Sequence, residues 1–222
     1  MANQGPYKDF FDIKVAKRKV LKRKRNKSFW LLISFPLILF TGFVFLIETN
    51  KNTVILSLFG HLPYEEIDKN NLIEVQPGIS VHEDMYNDLL AMQRDAERDG
   101  VFLVFLSGYR SIELQKEIFF YLKSIRNQIA SERARVSAPP GFSEHSTGFA
   151  IDIGDATNRA TDFEVEFENT RAFNWLETNA AKYHFRLSFD KDHQSVDYEP
   201  WHWRYEGSVE ALRIFNSESE LK

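Results

Sequence analysis

The stretch GFSEHSTGFAIDIGD, residues 141–155, decides how this chain is read. It places His145 in a run of glycine and small residues, and Asp152 seven positions later inside the apolar run FAIDI. The small-residue run predicts a loop, and the run FAIDI predicts a strand over 149–153. A carboxylate inside such a strand is costly to bury unless something positive pairs it. Two ordinary accounts are a helix cap and a buried hydrogen-bonded pair. The third is a metal site in which His145 and Asp152 are two ligands and a third comes from elsewhere in the chain.

The composition narrows the choice. The chain has 222 residues, 43% of them hydrophobic, and no cysteine. That suits one packed domain with appendages and excludes a wholly disordered chain or a disulfide scaffold. Any zinc site must therefore use His, Asp or Glu. The net charge of −4 is unevenly spread: residues 1–28 hold ten Lys/Arg against Asp9 and Asp12, a segment charge of +8 that leaves −12 over residues 29–222.

Directly after the basic segment comes FWLLISFPLILFTGFVFLI, residues 29–47, without a charge. As a helix this run spans roughly 28 Å, close to the hydrocarbon thickness of a bilayer. Trp30 sits where interfacial aromatics prefer to lie, and Pro36 and Gly42 are tolerated in a membrane helix. The run exceeds the apolar stretch of a cleaved signal peptide, and no A-x-A-like site comes after it. The expectation is an uncleaved, single-pass transmembrane anchor with residues 1–28 in the cytoplasm and the rest outside it. The basic segment is then a membrane-flanking block, not a nucleic-acid arm.

Residues 48–79 read as a connector: polar ETNKN, a short apolar patch, then the turn chemistry of QPGIS. Residues 80–216 read as the folded domain, and residues 217–222 as a tail. Ser80 and Glu83 form an S-x-x-E capping box, after which Val81, Met85, Leu89 and Met92 recur at helical spacing until Gly100. VFLVFL (101–106) predicts a buried strand. Ser111 predicts the cap of a helix running to about Ala130, and Thr170 the cap of another. HFRLSF and PWHWRY predict strands, and a short helix comes after Gly207 with Ser208 as cap. Helices and strands mix without a βαβ rhythm, which predicts an α+β domain with a small, mostly antiparallel sheet flanked by helices.

Six histidines are available as metal ligands. His61, His82 and His193 lie in polar or turn contexts and read as solvated. His184 begins a strand and reads as a core residue or a partner behind a ligand. His202 differs, because Trp201 and Trp203 alternate with it in YEPWHWRY and strand periodicity turns it to the opposite face. Glu199 stands three positions earlier, before the rigid Pro200.

SGYRS, GFSEHSTGFAIDIGD and YEPWHWRY, taken in this order, resemble the three signatures of the VanY-type zinc D-alanyl-D-alanine carboxypeptidases, whose scaffold is shared by VanX dipeptidases and hedgehog-like domains. The resemblance covers roughly residues 65–215. It implies a Zn2+ site made by His145, Asp152 and His202, with Glu199 as general base and Arg110 stabilising the oxyanion. It further implies that Ser143 holds polar atoms of the substrate, that Gln115 lines the cleft, and that the substrate is a peptidoglycan stem peptide or its precursor. Glu144, between two of these residues, reads as solvated or as a partner behind a ligand. The relatives' pattern before the last motif is replaced here by YHFRLSF, a change on the acyl side of the cleft.

The chemistry agrees with that reading. Two neutral imidazoles and one carboxylate leave zinc with a net positive charge, which keeps a bound water acidic. A carboxylate beside it can move the proton, and an arginine is always charged to meet a developing oxyanion. Two alternatives share this residue set: an L,D-carboxypeptidase or endopeptidase on the same scaffold, and a non-catalytic wall-binding module with structural zinc. The second has no need of Glu199.

Overall fold

The computed structural model describes residues 57–216. The basic segment, the apolar run 29–47 and the tail 217–222 lie outside the described residues. Among the described residues no helix is long and apolar enough to cross a membrane.

The domain is α+β, as its mixed element order implies. Strands β1 (Leu72–Gln76) and β2 (Ile79–His82) form an antiparallel hairpin and lead into helix α1 (Glu83–Arg98). Then come β3 (Leu103–Ser107), α2 (Ile112–Ile125), α3 (Ala130–Ala134), β4 (Ala150–Asp155), α4 (Arg171–Asn179), β5 (Phe185–Leu187), β6 (His202–Tyr205) and α5 (Val209–Asn216). The main sheet has the order β3-β4-β6-β5, every neighbouring pair antiparallel.

Residues 57–79, assigned to the connector from sequence, are folded onto the domain. The Tyr64 N–H donates to the Gly141 carbonyl (2.8 Å) and the Ile67 N–H to that of Ser146 (3.0 Å). Pairing of the β1–β2 hairpin also moves the start of α1. Ser80 and His82 are taken up by the ladder opposite Glu74 and Leu72, so Ser80 does not cap the helix. His82 does, its Nδ1 accepting the Asp84 N–H at 3.1 Å. Gly100, at φ +71°, closes the end of α1 as its sequence position implies. Ser111 caps α2 through the Leu114 N–H, but α2 stops at Ile125 because Asn127 turns left-handed at φ +50°.

The core lies on one face of the main sheet. Met85, Leu89, Met92 and Ala96 of α1, and Ala172, Phe173 and Leu176 of α4, bury against Phe149, Ile151, Ile153 and Trp203. Each large side chain so buried contributes on the order of 1.5–3 kcal/mol. All of β4 is buried, so its opposite face is covered too, and that face carries Asp152. Strand register puts Asp152 opposite His202 on one side and Ser107 on the other.

Candidate metal centre

Three segments converge on Asp152. β6 brings His202 across the sheet, the 3-10 turn Glu144–Thr147 carries His145, and the loop after β3 brings Gly108 and Arg110. Two glycines make the approach possible. A Cβ on Gly108 would stand 2.3 Å from the Ser80 carbonyl oxygen. Gly148 closes the turn at φ +75°, a conformation glycine adopts without steric cost.

Hydrogen bonding fixes what each imidazole presents. The Nδ1–H of His145 donates to the Gly108 carbonyl at 2.7 Å, leaving Nε2 as a lone pair 3.2 Å from Asp152 Oδ2. The Nε2–H of His202 donates to Glu144 Oε2 at 2.8 Å, so Nδ1 faces Asp152 Oδ1 at 3.1 Å. These tautomers are assigned from the network. The two rings meet edge to face with centroids 4.8 Å apart, and Asp152 Oδ2 is buried without a hydrogen-bond partner. The His145 Nε2 lone pair facing Asp152 Oδ2 at this range repels it, and a divalent cation turns the arrangement into attraction. The three side chains offer ligand atoms within 4.8 Å of one another, and two imidazoles with one carboxylate suit zinc. A carbonyl and a carboxylate behind the two histidines is the usual way such ligands are oriented.

The electrostatics arise from burial and these contacts. Burial opposes charge on His202, but hydrogen bonds to Asp152 and Glu144, and their negative charge, overcome it and raise its pKa to about 10. Without a cation, a proton on His202 supplies part of the missing positive charge. His145 moves down, chiefly by burial. Burial would raise Glu144, but the hydrogen bond and charge of His202, with Arg204 and Ser188, bring it down to about 2. Burial would also raise Asp152, yet His145 and His202 hold it well below the usual carboxylate range. Glu199 goes the other way: burial pushes it up to about 8, with His202 and Arg110 opposing the rise and Asp152 and Glu144 adding to it.

Glu199 Oε2 lies 4.0 Å from His202 Nδ1, on the side where the ligand atoms meet. Arg110 Nη2 stands 3.7 Å from Asp152 Oδ2 and donates to Ser107 Oγ at 3.1 Å, while Nη1 donates to Gln115 Oε1 at 2.8 Å. His145, Asp152, His202, Glu199 and Arg110 are therefore brought together. Gln115 is fully buried and both ends of its amide are engaged, Nε2 donating to Ser137 Oγ (3.2 Å) and the Ala138 carbonyl (2.6 Å). Its contacts are with Arg110 and the 137–138 wall. Ser143 is buried at the start of the 3-10 turn and makes no side-chain cap bond.

Several residues have more structure behind them than their sequence context shows. Glu144 is 4% exposed and also accepts from Ser188 Oγ (2.6 Å) and Arg204 Nη1 (3.3 Å), so it stands behind His202 rather than in solvent. His61 and His82 are buried, not solvated. His61 Nε2 meets the Ala134 carbonyl at 2.8 Å, and its ring packs edge-on against Phe189, which in turn lies 5.1 Å from His202. His184 occupies a left-handed turn before β5 and is not in the core. A second grouping, His82, Asp84 and Glu210, also comes within ligand range. There Nδ1 of His82 is spent on the helix cap, so the neutral ring carries its proton on Nε2, the atom facing Glu210 Oε2 at 3.9 Å. That grouping is a capped helix start with no free lone pair for a cation.

The family model VanY, described as D-alanyl-D-alanine carboxypeptidase, matches residues 78–208. The chain is 36% identical over 132 residues to YodJ of Bacillus subtilis, covering 57% of this chain and 46% of the relative. It is 33% identical over 131 residues to a D-alanyl-D-alanine carboxypeptidase of Enterococcus faecalis, covering 54% and 46%. It thus spans about half the length of these relatives. Among solved structures, the LdcB LD-carboxypeptidase superposes with a TM-score of 0.57 at 29% identity, covering 68% of this chain and 75% of that one. VanYB in complex with D-alanine-D-alanine gives 0.56 at 26%, covering 71% and 92%. A vancomycin-resistance D,D-pentapeptidase VanY bound to Zn(II) gives 0.53 at 25%, covering 71% and 94%. With the family's model matched across more than half of its length, this chain belongs to the VanY D-alanyl-D-alanine carboxypeptidase family.

Proposed function

We propose that the protein is a zinc-dependent D,D-carboxypeptidase that removes the terminal D-Ala from peptidoglycan stem peptides or their precursors, held at the cell membrane by residues 29–47. The carrying observation is the buried Asp152 carboxylate, its Oδ1 facing His202 Nδ1 and its donor-free Oδ2 facing His145 Nε2, with the Glu199 carboxylate beside them.

His145, Asp152 and His202 would hold the zinc, which when bound supplies Lewis-acid activation of water and of the scissile carbonyl. Glu199 accepts the proton of the attacking water and returns it to the departing amine. Its burial suits this work, because a carboxyl raised toward neutrality binds and releases a proton near working pH. Arg110 faces the negative charge that develops on the carbonyl oxygen, and Gln115 and Ser107 hold its guanidinium in place. Ser143, at the start of the turn that carries His145, meets polar atoms of the substrate in this reading.

The likeness to the LdcB LD-carboxypeptidase favours one second reading, cleavage of an L,D bond on the same scaffold. Digestion of purified muropeptides, read by mass spectrometry, separates the two. Loss of D-Ala from pentapeptides supports the D,D reading, and loss from tetrapeptides alone supports the L,D reading. Zinc-loaded Glu199→Gln tests the chemistry itself. If it cleaves either substrate as fast as the wild type, the assigned base is wrong.

A further inference from the structure

We propose that the end of the domain formed by α2 and α3 rests on the lipid bilayer, so that the metal centre works on stem peptides close to the membrane. The inference rests on the reading of residues 29–47 as a membrane anchor.

Six of the eleven large exposed apolar side chains among the described residues lie at this end. Phe120, Tyr121 and Ile125 on α2 and Ile129 at the start of α3 are 51%, 46%, 53% and 63% exposed. Leu58 and Phe59, where the described chain joins the domain, are also exposed, at 38% and 44%. They belong to the same end. Leu58 and His61 are paired through their backbones, and His61 Nε2 bonds the carbonyl of Ala134, the last residue of α3. α3 thus runs from Ile129 to the point where the chain arrives.

The tether decides what covers this face. Nine residues, 48–56, separate the apolar run from residue 57. Fully extended, nine residues reach about 30 Å. A domain of 160 residues has a radius of gyration of about 15 Å, so it is about as wide as its tether is long. It therefore stays within about one domain width of the membrane, and the face beside residue 57 is the one that reaches lipid with the least extension of the tether. Phenylalanine, tyrosine and isoleucine flanked by Lys123 and Arg126 are a composition that partitions to the headgroup boundary. Ser137 and Ala138, which hold Gln115 behind Arg110, come soon after α3, so the same docking fixes the cleft wall low over the bilayer.

The absence of cysteine makes the test direct. A nitroxide is placed on the full chain at Ser124→Cys in the patch, at Thr178→Cys on α4, or at Ser34→Cys in the apolar run. Each protein is reconstituted in phosphatidylglycerol–phosphatidylethanolamine vesicles. Accessibility to oxygen and to aqueous chromium oxalate then reports depth. The expected result is lipid-like accessibility at 124 and 34 and aqueous accessibility at 178, with loss of the lipid-like signal at 124 in a Phe120→Ser, Ile129→Ser background. Aqueous accessibility at 124 with a lipid-buried 34 overturns the proposal while the anchor stands. Spin–spin broadening at 124 assigns the face to a second copy of the chain and also overturns it. An aqueous 34 removes the anchor, and this proposal with it. Peptidase activity of the vesicle-bound protein is read separately, so failure of the catalytic reading is distinguishable from all of these.

Discussion

Glu144 Oε2 accepts the Nε2–H of His202 at 2.8 Å, and both side chains are almost completely buried. This contact decides which nitrogen of His202 faces Asp152. Glu144→Gln keeps the shape but removes the charge behind the ligand. Zinc affinity is expected to fall by about 10–100-fold, as for other groups that orient a metal-bound imidazole. Competition with a chromogenic chelator measures it, and unchanged affinity removes Glu144 from the ligand arrangement.

Arg110 and Gln115 form a second couple. Arg110→Ala is expected to lower kcat by about 10²–10³-fold, the usual cost of losing an oxyanion donor. Gln115→Leu leaves the guanidinium in place but unheld on one side, so a smaller loss in the same direction is expected. Zinc content stays at the wild-type level in both. Steady-state kinetics beside metal analysis checks this, and a metal-depleted Arg110 variant would assign it a structural role.

Gly108 tests the backbone approach. A methyl group there meets the Ser80 carbonyl oxygen and Ile79, so one segment must shift. Gly108→Ala is expected to cost about 1–3 kcal/mol of stability, as overpacking does elsewhere. It should also weaken zinc binding, because the Gly108 carbonyl holds the His145 tautomer. Urea unfolding with and without zinc separates the two effects.

His61 sets a pH dependence outside the ligand set. Burial lowers its pKa from 6.5, with the hydrogen bond to Ala134 opposing. The unfolded chain therefore binds this proton more readily than the folded one. Stability is unaffected well above pH 6.5 and is lost as pH falls through the unfolded value toward the folded one. His61→Gln, whose amide can still donate to Ala134, should lose less stability than the wild type as pH is lowered from well above that value to well below it. Equal losses would show that His61 does not carry this dependence.

Zinc itself should stabilise the fold, since without it the His145 Nε2 lone pair faces the buried, donor-free Asp152 Oδ2. Chelation is expected to lower Tm and added zinc to restore it, by about 2.7 kcal/mol when free zinc reaches roughly 100 times Kd. Thermal unfolding across a zinc titration measures this. A Tm that ignores zinc would mean that the three side chains do not hold it.

Much of the molecule is local and was therefore legible in the amino-acid order. Thr170 and Ser111 cap the helices they precede, Gly100 ends α1, and FAIDI forms a strand, because capping and alternation depend only on near neighbours. The candidate ligands were legible for the same reason: a carboxylate in an apolar strand and a histidine alternating with tryptophans declare their faces by periodicity. What the order left open depends on partners far along the chain. Ser80 looked like a cap until β1 claimed its backbone, which handed that place to His82. Glu144 read as either solvated or a partner behind a ligand, and burial against His202 chose the second, while Gln115, read as lining the cleft, became the support of Arg110. His61 looked solvated, but the segment that carries it folds back onto α3. Residue type and spacing determined which groups could do the chemistry. Only long-range pairing, such as Asp152 opposite His202 across fifty positions, decided which are dry, which are charged and which face one another.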